Sequence, residues 1–276
     1  MKGAIAAGHP LTAAAGARVL AEGGNAVDAA VGAAFVSWIA ESPLTGPGAG
    51  GFMLVHRARD RSTRVLDFFT AVAGLGLPAG EVHEMDAVAV EFAAGTTQVF
   101  QIGAASCAVP GAALGLERAQ RSFGTLPWRE LFAPAIELAR GGVELTPSQA
   151  YLHAILDLIL RHSPESRGVY EHNGKRLDVG DRLVLVDLAD TLEVLRDRGA
   201  SELYTGELAH ALVEHVRDRG GLITARDLAE YRVVSRRPVR AGFRGHEYLS
   251  NPPPSAGGIL IAYGLRLLPE TGAPRT

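Results

Sequence analysis

The alternation of apolar and polar stretches predicts a chain that mixes helices with short strands. Two Ala-rich helices are predicted near the N-terminus, over Pro10–Glu22 and Ala26–Glu41, with the pair Gly23-Gly24 between them. Asn25 is a good N-cap for the second helix, which is apolar on nearly every side. That second helix is therefore expected to be buried.

A β-hairpin is predicted next. Strand-like runs at Phe52–Arg57 and Thr63–Phe69 flank a short charged turn, and the Gly/Pro-rich loop Ser42–Gly51 precedes them. Residues Val72–Gln101 show no clear period, so a long surface excursion is expected there.

The rest of the chain is predicted to be mainly helical. The remaining predicted elements are strands at Gly3–Ala7 and Ser106–Val109, helices at Ala112–Phe123, Pro127–Arg140, Pro147–Arg161, Val186–Arg198 and Gly206–Arg219, a strand pair at Val233–Phe243 and Glu247–Ser250, and a last helix from about Gly258. Thr224 and Asp227 have the spacing of a capping box. These elements favour an α/β (α+β) fold in one domain, residues 1–276, ending in a polar tail.

Composition narrows the class of protein. With 276 residues, 47% of them hydrophobic and 21% charged, the chain has the composition of a globular protein and not of a disordered one. Its net charge is -3 and its basic residues are interspersed with acids, so no nucleic-acid partner is expected. The apolar stretch Ala29–Ala40 is too short to span a bilayer, so no membrane partner is expected either. The default location is cytoplasmic, or periplasmic or secreted if a leader has been removed.

Common cofactor and catalytic motifs are missing or stand in the wrong context. Residues Gly46–Gly51 have the spacing G-x-G-x-x-G, but a helix is predicted before them and a strand after them, the reverse of a dinucleotide site. The histidines lack the spacing of a metalloprotease signature, so neither a metal nor a cofactor is predicted. Cys107 is the only cysteine and is expected to be a small buried residue.

Several segments, in this order, resemble the large subunit of the γ-glutamyltransferase family. They are Gly8-His9-Pro10-Leu11, Gly24-Asn25-Ala26-Val27-Asp28-Ala29-Ala30-Val31, Gly50-Gly51-Phe52, Leu66-Asp67-Phe68, Val109-Pro110-Gly111, Gly124-Thr125-Leu126-Pro127-Trp128, Gly220-Gly221-Leu222-Ile223-Thr224, Asp227-Leu228-Ala229-Glu230-Tyr231 and Pro252-Pro253-Pro254-Ser255-Ala256-Gly257-Gly258. The similarity covers almost the whole chain. Each segment alone is a weak signal, but their common order makes chance agreement very improbable.

This resemblance implies an autoprocessing N-terminal-nucleophile hydrolase built as a four-layer αββα sandwich, of which the chain supplies the large-subunit part. In that family the new N-terminal Thr of a small subunit attacks a γ-glutamyl amide such as glutathione. The resemblance therefore implies a heterodimer that acts on a small-molecule γ-glutamyl or related acyl amide. Since the chain ends at Thr276, no catalytic residue is expected in it, and the chain alone is expected to be inactive. Thr96-Thr97-Gln98 is similar to the nucleophile motif but lies far upstream, and it is interpreted as a decoy.

The resemblance also implies a substrate-binding position. After the Leu66-Asp67-Phe68 segment, typical members carry an Arg-Glu pair whose Arg binds the substrate α-carboxylate, but here Phe69 and Thr70 stand there. Asp67, Phe69 and Thr70 are therefore predicted to bind the substrate. The structural loop near the site is predicted at Gly48, Gly50 and Gly51. An aromatic ring cannot replace a guanidinium, so a less charged or differently placed acyl end is expected, as in the related cephalosporin acylases.

Three alternatives stay open from the sequence. The chain could be a shortened large subunit, a fragment of a precursor, or a half whose partner is encoded separately. It could also be a non-catalytic scaffold or binding half derived from the family. Finally, Phe69 could be an ordinary core residue in a strand, which is the commoner position of a Phe side chain.

Overall fold

The computed structural model describes residues 3–78, 80–81, 83–92 and 95–268. Its helices are α1 (Pro10–Ala21), α2 (Ala26–Ala40), α3 (Ala112–Phe123), α4 (Ala133–Gly141), α5 (Pro147–Ile155), α6 (Asp157–Leu160), α7 (Pro164–Tyr170), α8 (Val186–Arg198), α9 (Glu202–Thr205), α10 (Glu207–Asp218), α11 (Ala225–Glu230) and α12 (Ala256–Leu267). Its strands are β1 (Gly51–Arg57), β2 (Ser62–Phe68), β3 (Asp86–Phe92), β4 (Thr96–Ile102), β5 (Val143–Glu144), β6 (Glu171–His172), β7 (Lys175–Arg176), β8 (Arg182–Leu183), β9 (Val234–Arg236), β10 (Val239–Phe243) and β11 (His246–Ser250). The mixed helix and strand class expected from the sequence is confirmed. The predicted polar tail, residues 269–276, lies outside the described residues.

Helix α2 forms the centre of the hydrophobic core. Twelve of its 15 residues are buried, which confirms the burial expected from its sequence. Asn25 caps it, because its side chain accepts hydrogen bonds from two N–H groups of the first turn while Asp28 bonds back to the Asn25 N–H. Phe35 stacks on Phe132 with ring centroids 4.1 Å apart, and the edge of Trp38 packs against the same ring of Phe35. The contact between Phe35 and Phe132 joins α2 to the segment that begins α4.

The three-stranded sheet that positions the site has the order β1-β2-β9. The predicted hairpin of β1 and β2 is confirmed, and β9 lies antiparallel on the other side of β2 with Asp67 opposite Val234. The predicted pairing of all of 233–243 with 247–250 is wrong, since only β10 pairs with β11. Pro238 separates β9 from β10, and a residue without an N–H cannot continue a ladder.

The surface excursion expected at Val72–Gln101 contains a hairpin that the sequence reasoning missed. Strands β3 and β4 pair with Val88 opposite Phe100, and the turn between them uses Gly95 at a positive φ of 73°. Most side chains of this hairpin are exposed, and Val90 is its buried contact. A hydrophobic pattern this weak explains why no strand was predicted.

Several other predicted helices and strands differ in extent from the elements of the structure. The predicted helix from Pro127 is a 3₁₀ turn at Trp128–Leu131 followed by α4, and the one at 147–161 is divided into α5 and α6. Residues 3–7 have no strand partner in the described part of the chain, although a strand was predicted there. Cys107 is exposed, so its predicted burial was wrong: it lies after a short turn that is itself unburied.

A small lobe lies beside the main core. Leu145, Leu177 and Leu183 form its own hydrophobic cluster between the short strands and α5 to α7. His153 of α5 is fully buried here, with its ring edge against Tyr170. Among the residues that the structure describes, neither ring nitrogen of His153 has a hydrogen-bond partner. None of the described helices is both long enough and apolar enough to cross a bilayer.

Candidate functional site

A cavity of about 300 Å³ opens where β2 ends, beside β9 and α11. The strand end and the turn after it form one wall, the stretch from α11 to β9 forms the opposite wall, and Pro254 adds to the rim. The residues with polar or aromatic side chains on these walls include Asp67, Phe69, Thr70, Asp227, Tyr231 and Arg236. The three predicted substrate-binding residues therefore lie together on one cavity. Among the described residues, no group of three His, Cys, Asp or Glu side chains is placed to hold a metal ion.

Asp67 links the turn after β2 to strand β9 in the cavity wall. Its side chain is nearly buried, and one carboxylate oxygen accepts a hydrogen bond from the backbone N–H of Phe69 at 3.0 Å. The other oxygen accepts from Nε of Arg236 at 2.6 Å. The antiparallel pairing of β2 with β9 brings these two residues together although they are 169 positions apart in sequence. The carboxylate thus fixes the turn after β2 and holds the guanidinium in place.

Phe69 lies at the rim of the cavity and not in the core of this chain. The residue is 51% exposed, and its ring stacks on Phe52 of β1 with centroids 5.5 Å apart. The carbonyl oxygen of Phe69 accepts a hydrogen bond from the hydroxyl of Tyr231 at 2.8 Å. Both backbone groups of Phe69 are therefore held by neighbouring side chains, while its own ring forms an apolar edge to the cavity. Binding of substrate by this ring stays a prediction.

Tyr231 stabilises the turn after β2 through the hydrogen bond from its hydroxyl to Phe69. Its ring stacks on Tyr204, whose hydroxyl donates to the carbonyl of Pro110 at 3.0 Å. Burial, together with the nearby negative charge of Asp67, raises the pKa of Tyr231 to about 12. The hydroxyl therefore keeps its proton at neutral pH and stays a hydrogen-bond donor. Burial also raises the pKa of Tyr204.

Asp227 holds a second part of the cavity wall. It is nearly buried, and its carboxylate accepts hydrogen bonds from the backbone N–H groups of Gly74, Leu75 and Thr224 at 2.8–3.0 Å. Burial alone would raise the pKa of Asp227, but these N–H donors outweigh it and hold the pKa below its usual value. The capping box predicted for Thr224 and Asp227 is confirmed. Its wider role, tying residues 74–75 to α11, has no signal in the local sequence.

The glycine loop packs directly behind the predicted substrate-binding turn. A Cβ added to Gly50 would lie 2.5 Å from the backbone nitrogen of Thr70, so no larger residue fits there without a shift. Gly51 begins β1, while Gly48 faces open space and is not needed for close packing. Helix α2 precedes this loop and a strand follows it, which confirms the order of elements expected from the sequence, the reverse of that in a dinucleotide-binding turn.

Two other groups of residues that the sequence analysis considered lie outside the cavity. Thr96, Thr97 and Gln98 lie on β4, in the separate hairpin, and line no part of the cavity. His9 is the N-cap of α1, where its Nδ1 accepts from the N–H of Leu11 at 3.1 Å. The structural role expected for His9 is confirmed. Sequence reasoning missed Arg236, because only the β2–β9 pairing brings it to the cavity.

Comparison with known proteins identifies the family. A γ-glutamyltranspeptidase family model matches residues 12–274. The glutathione hydrolase proenzyme of Bacillus subtilis (strain 168) is 34% identical over 271 residues, which cover 96% of this chain and 44% of that protein. The acylase ACY 1 proenzyme of Pseudomonas sp. (strain SE83) is 37% identical over 272 residues, 97% of this chain and 48% of that protein. The chain thus spans less than half the length of these curated relatives.

Solved structures agree with the sequence comparisons. The γ-glutamyltranspeptidase of Helicobacter pylori superposes with a TM-score of 0.84 at 30% identity, covering 98% of this chain and 76% of that chain. A cephalosporin acylase from Bacillus halodurans superposes with a TM-score of 0.72 at 27% identity, covering 89% of this chain and 45% of that chain. The matched residues include β2, the glycine loop and α11, on which the cavity is built. The chain therefore belongs to the γ-glutamyltranspeptidase family and has the large-subunit part of its fold.

Proposed function

We propose that this chain is the large-subunit portion of an amidohydrolase or acyltransferase that cleaves γ-glutamyl or related acyl amides. In this proposal, a Thr nucleophile comes from a separate small subunit, and the two form a heterodimer. The observation that carries the proposal is the cavity at the end of β2, lined by Asp67, Phe69 and Thr70, the residues that the family resemblance predicts to bind substrate. Membership of a family whose named members are hydrolase and acylase proenzymes supports it.

The proposed chemistry divides the work between the two subunits. The α-amine of the small subunit's Thr takes the hydroxyl proton, the Thr oxygen forms an ester with the acyl carbon, and the substrate amine leaves with a proton. Water or a second amine then releases the acyl group. The contribution of this chain is to bind the acyl end and to hold it still. Asp67 and Tyr231, which fix the backbone of Phe69, provide that rigidity.

The acyl donor follows from the residues at 69 and 70. An unpaired carboxylate pressed against the Phe69 ring would lose its water without compensation, so the ring does not favour a charged group beside it. The proposed donor therefore has an acyl end that is less charged, or whose charge is bound by another part of the cavity. Relatives named glutathione hydrolase and relatives named acylase are both about equally similar to the chain, which supports either donor class.

Co-expression with the small-subunit sequence tests the proposal. The purified two-chain complex should release p-nitroaniline from γ-glutamyl or acyl p-nitroanilides, and replacement of the small subunit's N-terminal Thr by Ala should abolish that release. A processed, folded complex that turns over none of these anilides would favour the alternative, a non-catalytic scaffold or binding half. The cytoplasmic location stays a prediction that cell fractionation would check.

A further inference from the structure

The carboxylates that line the cavity are already engaged by the protein. Asp67 accepts hydrogen bonds from a backbone N–H and from Arg236, and Asp227 is held by backbone N–H groups and the Thr224 hydroxyl. Glu230 pairs with Nε of Arg226 at 2.7 Å. The described lining carboxylates are therefore all occupied by donors of the chain, two of them by an Arg and Asp227 by uncharged donors.

The two guanidinium groups that line the cavity have unused donors. Arg236 uses Nε for Asp67, and its two terminal nitrogens have no acceptor in the part of the chain that the structure describes. Arg232 donates from one terminal nitrogen to the carbonyl oxygens of Ala229 and Tyr231. Across residues 3–78, 80–81, 83–92 and 95–268, Arg232 has no carboxylate partner. The cavity therefore offers donors to an anion from the wall formed by 232–236.

The link to Asp67 gives Arg236 a defined orientation. A guanidinium has five N–H donors in a fixed plane, and bonding through Nε leaves the pair of terminal nitrogens as a free fork. That fork matches the two oxygens of a carboxylate. Because Asp67 is nearly buried and itself held by the Phe69 N–H, the plane of the guanidinium is set before any ligand arrives.

We propose that Arg236 is a specificity-determining residue that binds a carboxylate at the end of the acyl group. The anionic end is then recognised from β9, although Phe69 stands where an Arg is expected. The Phe69 ring lies along the apolar part of the acyl chain. This inference rests on the proposed function, because it takes the cavity to be the acyl site.

Binding of two small probes to the chain tests the inference. Glutarate has a carboxylate at each end. Glutaramide has the same length, but both of its ends are neutral amides. In NMR titrations at constant ionic strength, the unchanged chain should bind glutarate at least about tenfold more tightly than glutaramide. Absence of that preference would overturn the assignment.

A charge-neutral double variant separates anion binding from simple neutralisation of Asp67. Asp67→Asn combined with Arg236→Gln removes one negative and one positive charge and leaves a hydrogen-bonding pair. We expect it to lose the preference for glutarate, whereas a purely structural Arg236 would let the double variant keep it. Arg240→Gln is the matched control, since Arg240 pairs with Glu247 outside the cavity and its loss should leave the preference unchanged.

A second variant decides the matter if the double variant does not fold. Arg236→Lys keeps a positive charge beside Asp67 but loses the fork, so glutarate affinity should fall by about tenfold. Unchanged affinity would overturn the role of the fork. Failure here is distinct from failure of the proposed function: an active two-chain enzyme without a glutarate preference removes only this inference. Conversely, an inactive complex whose chain binds glutarate removes only the proposed activity.

Discussion

The carboxylate of Asp28 accepts hydrogen bonds from both the backbone N–H and the hydroxyl of Thr125, at 2.9 and 2.7 Å. The same carboxylate accepts from the N–H of Asn25, at the start of α2. One fully buried side chain therefore caps the central helix and holds the loop after α3. Two of the most recognisable sequence segments, around Asn25 and around Thr125, meet at this carboxylate, which gives both a structural reason.

Asp28→Ala should lower the free energy of unfolding by about 2–4 kcal/mol, because it removes a buried acceptor on which the N–H groups of Asn25 and Thr125 and the Thr125 hydroxyl converge. Urea denaturation would measure the change. Asp190→Ala is the control, since Asp190 is an exposed partner of Arg140 and its loss should cost less than about 1 kcal/mol. Equal losses for the two variants would contradict the role given to Asp28.

Stability should fall as the pH drops below about 6.5, in part because of His153. Burial, with the charge of Arg176, lowers the pKa of His153 below its ordinary value of 6.5. The unfolded chain then takes up a proton at a higher pH than the folded chain does, so acid favours unfolding. The contribution is complete above the unfolded pKa and is lost as the pH falls towards the lowered folded pKa.

Replacement of His153 by Phe tests this pH dependence. The variant should lose part of the decline in melting temperature between about pH 6.5 and pH 5. His210→Phe, at an exposed position of α10, serves as the control and should keep the whole decline. Identical pH profiles for the unchanged chain and for His153→Phe would disprove the assignment.

Phe69→Arg should shift donor preference towards γ-glutamyl amides in the two-chain enzyme. The guanidinium would stand where the family's carboxylate-binding Arg is expected, so the ratio of kcat/KM for γ-glutamyl over butyryl anilide should rise about tenfold. Val72→Arg adds the same charge at an exposed position of the same cavity and should raise the ratio much less. A variant that only unfolds, or an unchanged ratio, would remove Phe69 from the site.

The chain without a small subunit should not hydrolyse γ-glutamyl p-nitroanilide. None of the segments that resemble the family includes its nucleophilic Thr, and the similar Thr96-Thr97-Gln98 lies on an exposed hairpin outside the cavity. Release of p-nitroaniline is followed by absorbance. Turnover that persists through every purification step would show that the nucleophile lies in this chain.

The isolated chain should also bind hydrophobic dyes and self-associate. Helix α12 exposes the large apolar side chains of Ile259, Leu260, Ile261 and Tyr263, and extensive exposed apolar surface is uncommon on a monomeric protein. Dye fluorescence and analytical ultracentrifugation would measure both effects. A monodisperse monomer that binds no dye and melts cooperatively would count against a missing partner.

Local signals in the sequence predicted the parts of the fold that depend on near neighbours. The cap at Asn25 and the capping box at Thr224 gave the starts of α2 and α11, because both interactions span only three residues. The pairing of β2 with β9 was not predicted, since it joins residues about 170 positions apart and depends on where Pro238 interrupts a strand. Arg236 could not be assigned to the cavity before that pairing was known.

In the candidate site, too, local sequence signals predicted some residues, whereas the role of others depends on long-range contacts. Asp67, Phe69 and Thr70 were predicted from their position after a recognisable segment, and they do line one cavity. The contribution of Tyr231 and Asp227 depends on hydrogen bonds to backbone groups more than 150 residues away, which no local pattern encodes.

The two hydrogen bonds that hold Phe69 involve only its main chain. Asp67 accepts from its N–H, and Tyr231 donates to its carbonyl, so neither bond depends on which side chain the residue carries. Position 69 is therefore free to change in evolution without disturbing the frame around it. Substitution at this one position can present a guanidinium, a ring or a small polar group to the same cavity. New acyl specificities are therefore accessible to the fold in small steps.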